Sequence, residues 1–93
     1  MELLKYLVEF LGTFVFLSVI LMVGKPIPIV VTLLAMIYLG GSISGGHFNP
    51  AVSVMMFLKK TLSRNDMLLY ILAQVLGGFC ALQFYKLVEG TKA

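Results

Sequence analysis

Three long apolar runs divide the chain, and between the second and third lies a stretch where Gly, Ser, His and Asn displace the aliphatic residues. A bilayer core about 30 Å thick takes roughly 20 apolar helical residues. The runs at about 4–23, 27–42 and 66–86 therefore each predict a membrane-spanning helix. The first stops at Gly24-Lys25-Pro26, where glycine closes a helix and proline cannot continue one, so a short turn is expected. The third opens at Asn65 or Asp66, both competent N-caps.

The intervening stretch fits no complete span. Gly40 to Gly46 is too rich in Gly and Ser for a lipid-facing helix. At Asn49 the character changes: asparagine is a strong N-cap and proline is favoured in the first helical turn, so Asn49-Pro50 predicts a helix start. The apolar run ends at Lys59-Lys60, which gives a helix over about 49–58, roughly 15 Å long at 1.5 Å per residue. Such a helix crosses half a membrane. Entered through a Gly-rich loop, it reads as a re-entrant segment, which is tolerated only where protein or a water-filled cavity shields its backbone.

Composition supports a bilayer as solvent, since 60% of the 93 residues are hydrophobic and 12% are charged. The formal charge of +3 is spread along the chain without a cluster or stripe, which argues against a nucleic-acid partner. Lys5 before an apolar run resembles a secretory leader, but Glu9 interrupts the run and no small-residue cleavage site follows Val23, so a retained helix is expected. Cys80 stands alone among apolar neighbours and reads as packing. Met22, Met36, Met55, Met56 and Met67 are dispersed, and with one His in the chain no metal site is expected.

Two residues carry candidate chemistry. The Asn49 side chain can accept from exposed backbone N–H groups through its oxygen while its amide stays free to donate. The half-helix behind it aims unpaired N–H groups and about half a positive charge at mid-membrane, which disfavours cations there. Glu9 is ionisable within the first span, a functional hypothesis by default.

The string Ser44-Gly45-Gly46-His47-Phe48-Asn49-Pro50-Ala51-Val52 resembles the first-half loop of the major intrinsic protein family, the aquaporins and aquaglyceroporins. Glu9-Phe10-Leu11-Gly12-Thr13 is similar to the opening of the family's first helix, and Ala73-Gln74-Val75-Leu76-Gly77-Gly78 to its third. The resemblance covers nearly the whole chain but half of the usual six-span molecule. It implies an all-α membrane protein, with three transmembrane helices plus one re-entrant half-helix forming half of an aquaporin-like fold in a single unit over 1–93. It implies a passive, multi-pass channel of the cell membrane for water or small neutral solutes, with neither enzyme activity nor a cofactor.

The same resemblance places Asn49, Pro50, Ala51, Val52, His47, Gly45 and Gly46 along the solute path, the two glycines letting carbonyls approach it. His47 is implied as a brace for the loop rather than a gate. Glu9 would accept hydrogen bonds from loop backbone, with Gln74 as a second polar tether, and Gly12, Gly77 and Gly78 as small residues where helices approach. Ile29 would line a vestibule. On this reading conduction is altered by Asn49→Asp and mostly spared by Glu9→Gln.

Three spans and half a helix cannot encircle a pore, and loop backbone left facing hydrocarbon costs several kcal/mol per group. A partner is therefore expected, the simplest being a second copy inserted upside down, giving a homo-oligomer of inverted pairs. Lys5, Lys59, Lys60 and Arg64 fall on one side and Lys25, Lys86 and Lys92 on the other, so charge barely directs insertion and dual topology is expected. Val52 stands where the family's second loop ordinarily carries Arg, which implies a less polar filter. Alternatives are the front half of a split or longer channel, a non-conducting assembly subunit, or a small proton-coupled exporter with Glu9 as its carrier.

Overall fold

The computed structural model describes residues 2–91 and consists of four helices, α1 (Glu2–Met22), α2 (Pro26–Ser44), α3 (Pro50–Leu58) and α4 (Arg64–Gly90). Leu3–Met22, Pro26–Ser44 and Arg64–Gly90 are each long and apolar enough to cross a membrane. At 1.5 Å per residue the 9-residue α3 is about 14 Å long, half a bilayer core. The chain is an integral, multi-pass membrane protein.

Local chemistry sets each boundary. Gly24 takes a left-handed φ of 66°, and the N–H groups of Val23 and Gly24 both return to the Val19 carbonyl, so α1 stops and Pro26 starts α2 at once. Gly45, at φ 92°, closes α2 by donating to the Gly41 carbonyl. Asn49 caps α3, its side-chain oxygen accepting from Ala51 N at 2.8 Å, with Pro50 in the first turn.

The start of α4 differs from the sequence expectation. Ser63, not Asn65 or Asp66, is the N-cap, its hydroxyl accepting from Asp66 N at 3.1 Å. Asp66 is engaged elsewhere: Lys5 Nζ lies 2.7 Å from its Oδ2 and Tyr6 donates to its Oδ1. This ion pair joins the first turns of α1 and α4, and with Gln74 on Glu9 and Gly77 against Phe10 and Phe14 the two helices run parallel.

The α1 helix lies between α2 and α4, and α3 leans on α4. Polarity is inverted relative to a water-soluble bundle. Leu, Ile and Val side chains cover the outside, while Glu9, Thr13, Ser18, Ser44, Ser53 and Gln74 are buried beside Phe48, Tyr70, Ala73 and Ala81. With lipid outside, close packing and internal hydrogen bonds hold the helices together. The tightest backbone approach is at Gly77, where a β-carbon would stand 2.8 Å from the Phe10 carbonyl oxygen and 3.1 Å from Phe14 N. Gly78 meets only the flexible Leu17 Cδ1, at 3.1 Å. Gly77→Ala is therefore expected to cost about 1–3 kcal/mol by overpacking, and Gly78→Ala clearly less. Thermal unfolding of both variants in one detergent checks the order.

Candidate functional site

Glu9 organises the junction of all four helices. It is fully buried, and each of its oxygens takes two donors. Oε2 accepts from Ser44 Oγ at 2.7 Å and His47 N at 3.0 Å. Oε1 accepts from Phe48 N at 2.8 Å and Gln74 Nε2 at 2.9 Å. Ser44 Oγ in turn accepts from Gly46 N at 3.1 Å. Three consecutive loop amides, those of Gly46, His47 and Phe48, thus turn inward onto side chains.

That inward turn fixes the loop's other edge. All peptides among the described residues are trans, and in a trans peptide the carbonyl points opposite to the following N–H. The carbonyls of Gly45, Gly46 and His47 therefore face away from Glu9, and among the described residues none of them accepts a hydrogen bond. Gly45 and Gly46 reach this path with positive φ values of 92° and 67°. Past them, Asn49, Pro50 and Ala51 are exposed and Val52 is half-buried. Asn49 spends its oxygen on the cap, and its amide nitrogen has no partner among the described residues. The chain thus presents a row of unused acceptors and, past them in sequence, an exposed amide donor at a helix N-terminus.

His47 and Gln74 fasten this loop to α3 and α4. His47 Nδ1 lies 2.9 Å from Ser53 Oγ, and Gln74 Nε2 lies 3.0 Å from the same oxygen. Tyr70 donates to the Ser44 carbonyl at 2.6 Å, and its ring meets the His47 ring edge-on with centroids 5.1 Å apart. Gln74 tethers through Glu9 and Ser53 rather than through loop backbone.

Gly12, Gly77 and Gly78 divide into two roles. Gly77 and Gly78 face α1 and do not touch the loop. Gly12 faces the loop's ring: a β-carbon there would stand 2.1 Å from Phe48 Cε1. A β-carbon at Gly40 would stand 3.5 Å from Cζ of the same ring, so Phe48 seats its side chain between α1 and α2. Phe48 is 3% exposed and holds a left-handed φ of 51°, which a non-glycine residue adopts at a cost of about 1–2 kcal/mol. Ring burial and the bond to Glu9 offset that cost. Ile29 lies at the end of α2 remote from the loop.

Phe48, Ser53, Tyr70 and Ser44 escape a sequence reading that looks for chemistry along the path. Their signal is weak but present: an aromatic residue in a Gly-rich loop needs a slot, and small residues at Gly12 and Gly40 supply one.

Comparisons with known proteins agree with one another. The family model for the Major intrinsic protein matches residues 2–92. The chain is 41% identical over 88 residues to a protein named Glycerol uptake facilitator protein-like 6 from Lactiplantibacillus plantarum, covering 83% of this chain and 40% of that relative. It is 43% identical over 56 residues to Aquaporin PIP2-1 of Arabidopsis thaliana, covering 60% of this chain and 20% of the relative. It is 42% identical over 59 residues to Aquaporin Z of Photorhabdus laumondii, covering 63% and 26%. The chain thus spans less than half the length of these curated relatives. No solved structure matches it.

Proposed function

The chain belongs to the major intrinsic protein family, and from that premise we propose that it forms one half of a passive membrane channel for water or small neutral solutes. The observation that carries this reading is the loop's division of labour: N–H groups bound inward to Glu9 and Ser44, with the opposed carbonyls and the Asn49 amide left without partners among the described residues. Such an edge is costly against hydrocarbon and useful against water. A solute passing it meets acceptors first and a donor at the helix end, while the α3 N-terminus repels cations. The names of the relatives, glycerol facilitator-like and aquaporin, support the same solute range. Catalysis and cofactors have no part in this role.

The second half of the channel is proposed to be another copy of this chain, inverted in the membrane, so that two Asn49 amides meet at mid-depth. Lys5, Lys59, Lys60 and Arg64 against Lys25 and Lys86 leave insertion weakly directed; Lys92 lies outside the described residues. Proton-coupled export fits less well, because both Glu9 oxygens are already occupied by two donors each.

Osmotic shrinkage of reconstituted vesicles tests conduction. Asn49→Asp keeps an N-cap oxygen, so the fold should survive, but it replaces the donor with an acceptor. A lost hydrogen bond of about 1–1.5 kcal/mol predicts permeability falling about tenfold. Shrinkage of the wild type no faster than bare lipid contradicts the channel. Cysteine accessibility that finds every copy in one orientation contradicts the inverted homodimer, and co-purification of a different three-span subunit replaces it with a mixed pair.

A further inference from the structure

His47 is the sole histidine of the sequence, and its two ring nitrogens have different surroundings. Nδ1 lies 2.9 Å from Ser53 Oγ. Nε2 lies against Gly45, 3.2 Å from where a β-carbon would stand on that glycine. Heavy atoms alone do not say which nitrogen carries hydrogen, but the donors around them do.

Gln74 Nε2 lies 2.9 Å from Glu9 Oε1 and 3.0 Å from Ser53 Oγ, so its two hydrogens point at these two oxygens. Turning the amide over would set Gln74 Oε1 against Glu9 Oε1, acceptor to acceptor. It would also bury two unpaired hydrogens where one unpaired oxygen now sits. With Gln74 donating into it, the fully buried Ser53 hydroxyl has one hydrogen to give, and the acceptor it contacts is His47 Nδ1.

We infer that Ser53 holds His47 as the tautomer with hydrogen on Nε2, so that the ring's one basic nitrogen is capped by a hydroxyl and its N–H edge faces Gly45. Ser53 and Gln74 are positioning residues: they act on the path through the histidine. The consequence for transport rests on the channel reading above. There the ring sets a donor beside Gly45, next to carbonyls that only accept. The solutes this suits both donate and accept, as water and small polyols do.

The test is 15N-histidine NMR of the full chain in lipid, where one histidine gives an unambiguous pair of signals. At neutral pH, one-bond N–H coupling is expected on Nε2 alone, with Nδ1 showing the shift of a bare, hydrogen-bonded nitrogen. Ser53→Ala should move the Nδ1 signal towards that of a free bare nitrogen, and Ser53→Thr, which keeps the hydroxyl, should leave it in place. Hydrogen found on wild-type Nδ1, alone or together with Nε2, overturns the inference, as does an Nδ1 signal that Ser53→Ala leaves unmoved. If Ser53→Ala does not fold, the wild-type pattern decides alone. Osmotic shrinkage fails or succeeds independently: a non-conducting chain with the expected pattern removes the channel and leaves the tautomer.

Discussion

Replacing Glu9 by alanine is expected to abolish conduction while leaving most of the helix content in place. The substitution takes the acceptor from four donors, Ser44 Oγ, His47 N, Phe48 N and Gln74 Nε2, in a buried site. Each stranded donor costs about 1–3 kcal/mol. Four of them approach the whole stability of a typical domain, about 5–15 kcal/mol. The three long helices satisfy their own backbones and remain inserted, so the loss falls on the loop. Circular dichroism should change little, whereas vesicle permeability should fall to that of lipid. Glu9→Gln is expected to be nearly as damaging. An amide has one oxygen, so two of the four donors would face an NH₂ group instead of an acceptor. This differs from the sparing of Glu9→Gln expected from the sequence, because both Glu9 oxygens are used twice over. A Glu9→Gln protein with unchanged permeability and melting temperature contradicts this account of the junction.

Gly12→Ala is expected to displace the loop through Phe48. The added β-carbon would lie 2.1 Å from Phe48 Cε1 and 2.7 Å from Cδ1 and Cζ, so the ring must leave its seat. The ring cannot move freely, because its own N–H is fixed on Glu9 and its backbone is left-handed. Overpacking of this kind costs about 1–3 kcal/mol. Phe48→Ala removes the obstacle, so the double variant should be less destabilised than the two single losses summed, by about 1 kcal/mol or more. Thermal unfolding of the four proteins measures the coupling. Losses that add within about 0.5 kcal/mol would place the Phe48 ring elsewhere.

These two sites show what was legible along the chain and what was not. The long helices follow from the length of the apolar runs, and the half-length α3 from Asn49-Pro50 at one end and Lys59-Lys60 at the other. All of that information is local. The cap of α4 is a local choice that goes astray, because Ser63, Asn65 and Asp66 are all competent and the decision belongs to a distant group. Asp66 turns to Lys5 and Tyr6, 60 or more residues away in sequence, leaving Ser63 to cap. Glu9 and Gln74 stand out because polar side chains are rare in apolar runs. Ser53, Tyr70 and Phe48 do not stand out, since Ser, Tyr and Phe are ordinary in such helices and their partners are set only when α1, α2 and α4 come together. Gly12 is read by default as a crossing point; that it receives a ring emerges only from the third dimension.

The central claim is that Asn49 sits at mid-membrane depth in contact with water. It is tested most directly by solid-state NMR of the 15N-asparagine-labelled protein in lipid carrying a paramagnetic headgroup. The exposed Asn65, at the surface end of α4, serves as the internal reference. The Asn49 amide is predicted to receive magnetisation from water and to escape the surface broadening that affects Asn65. An Asn49 signal broadened as strongly as that of Asn65, or one fed only by acyl chains, would contradict it.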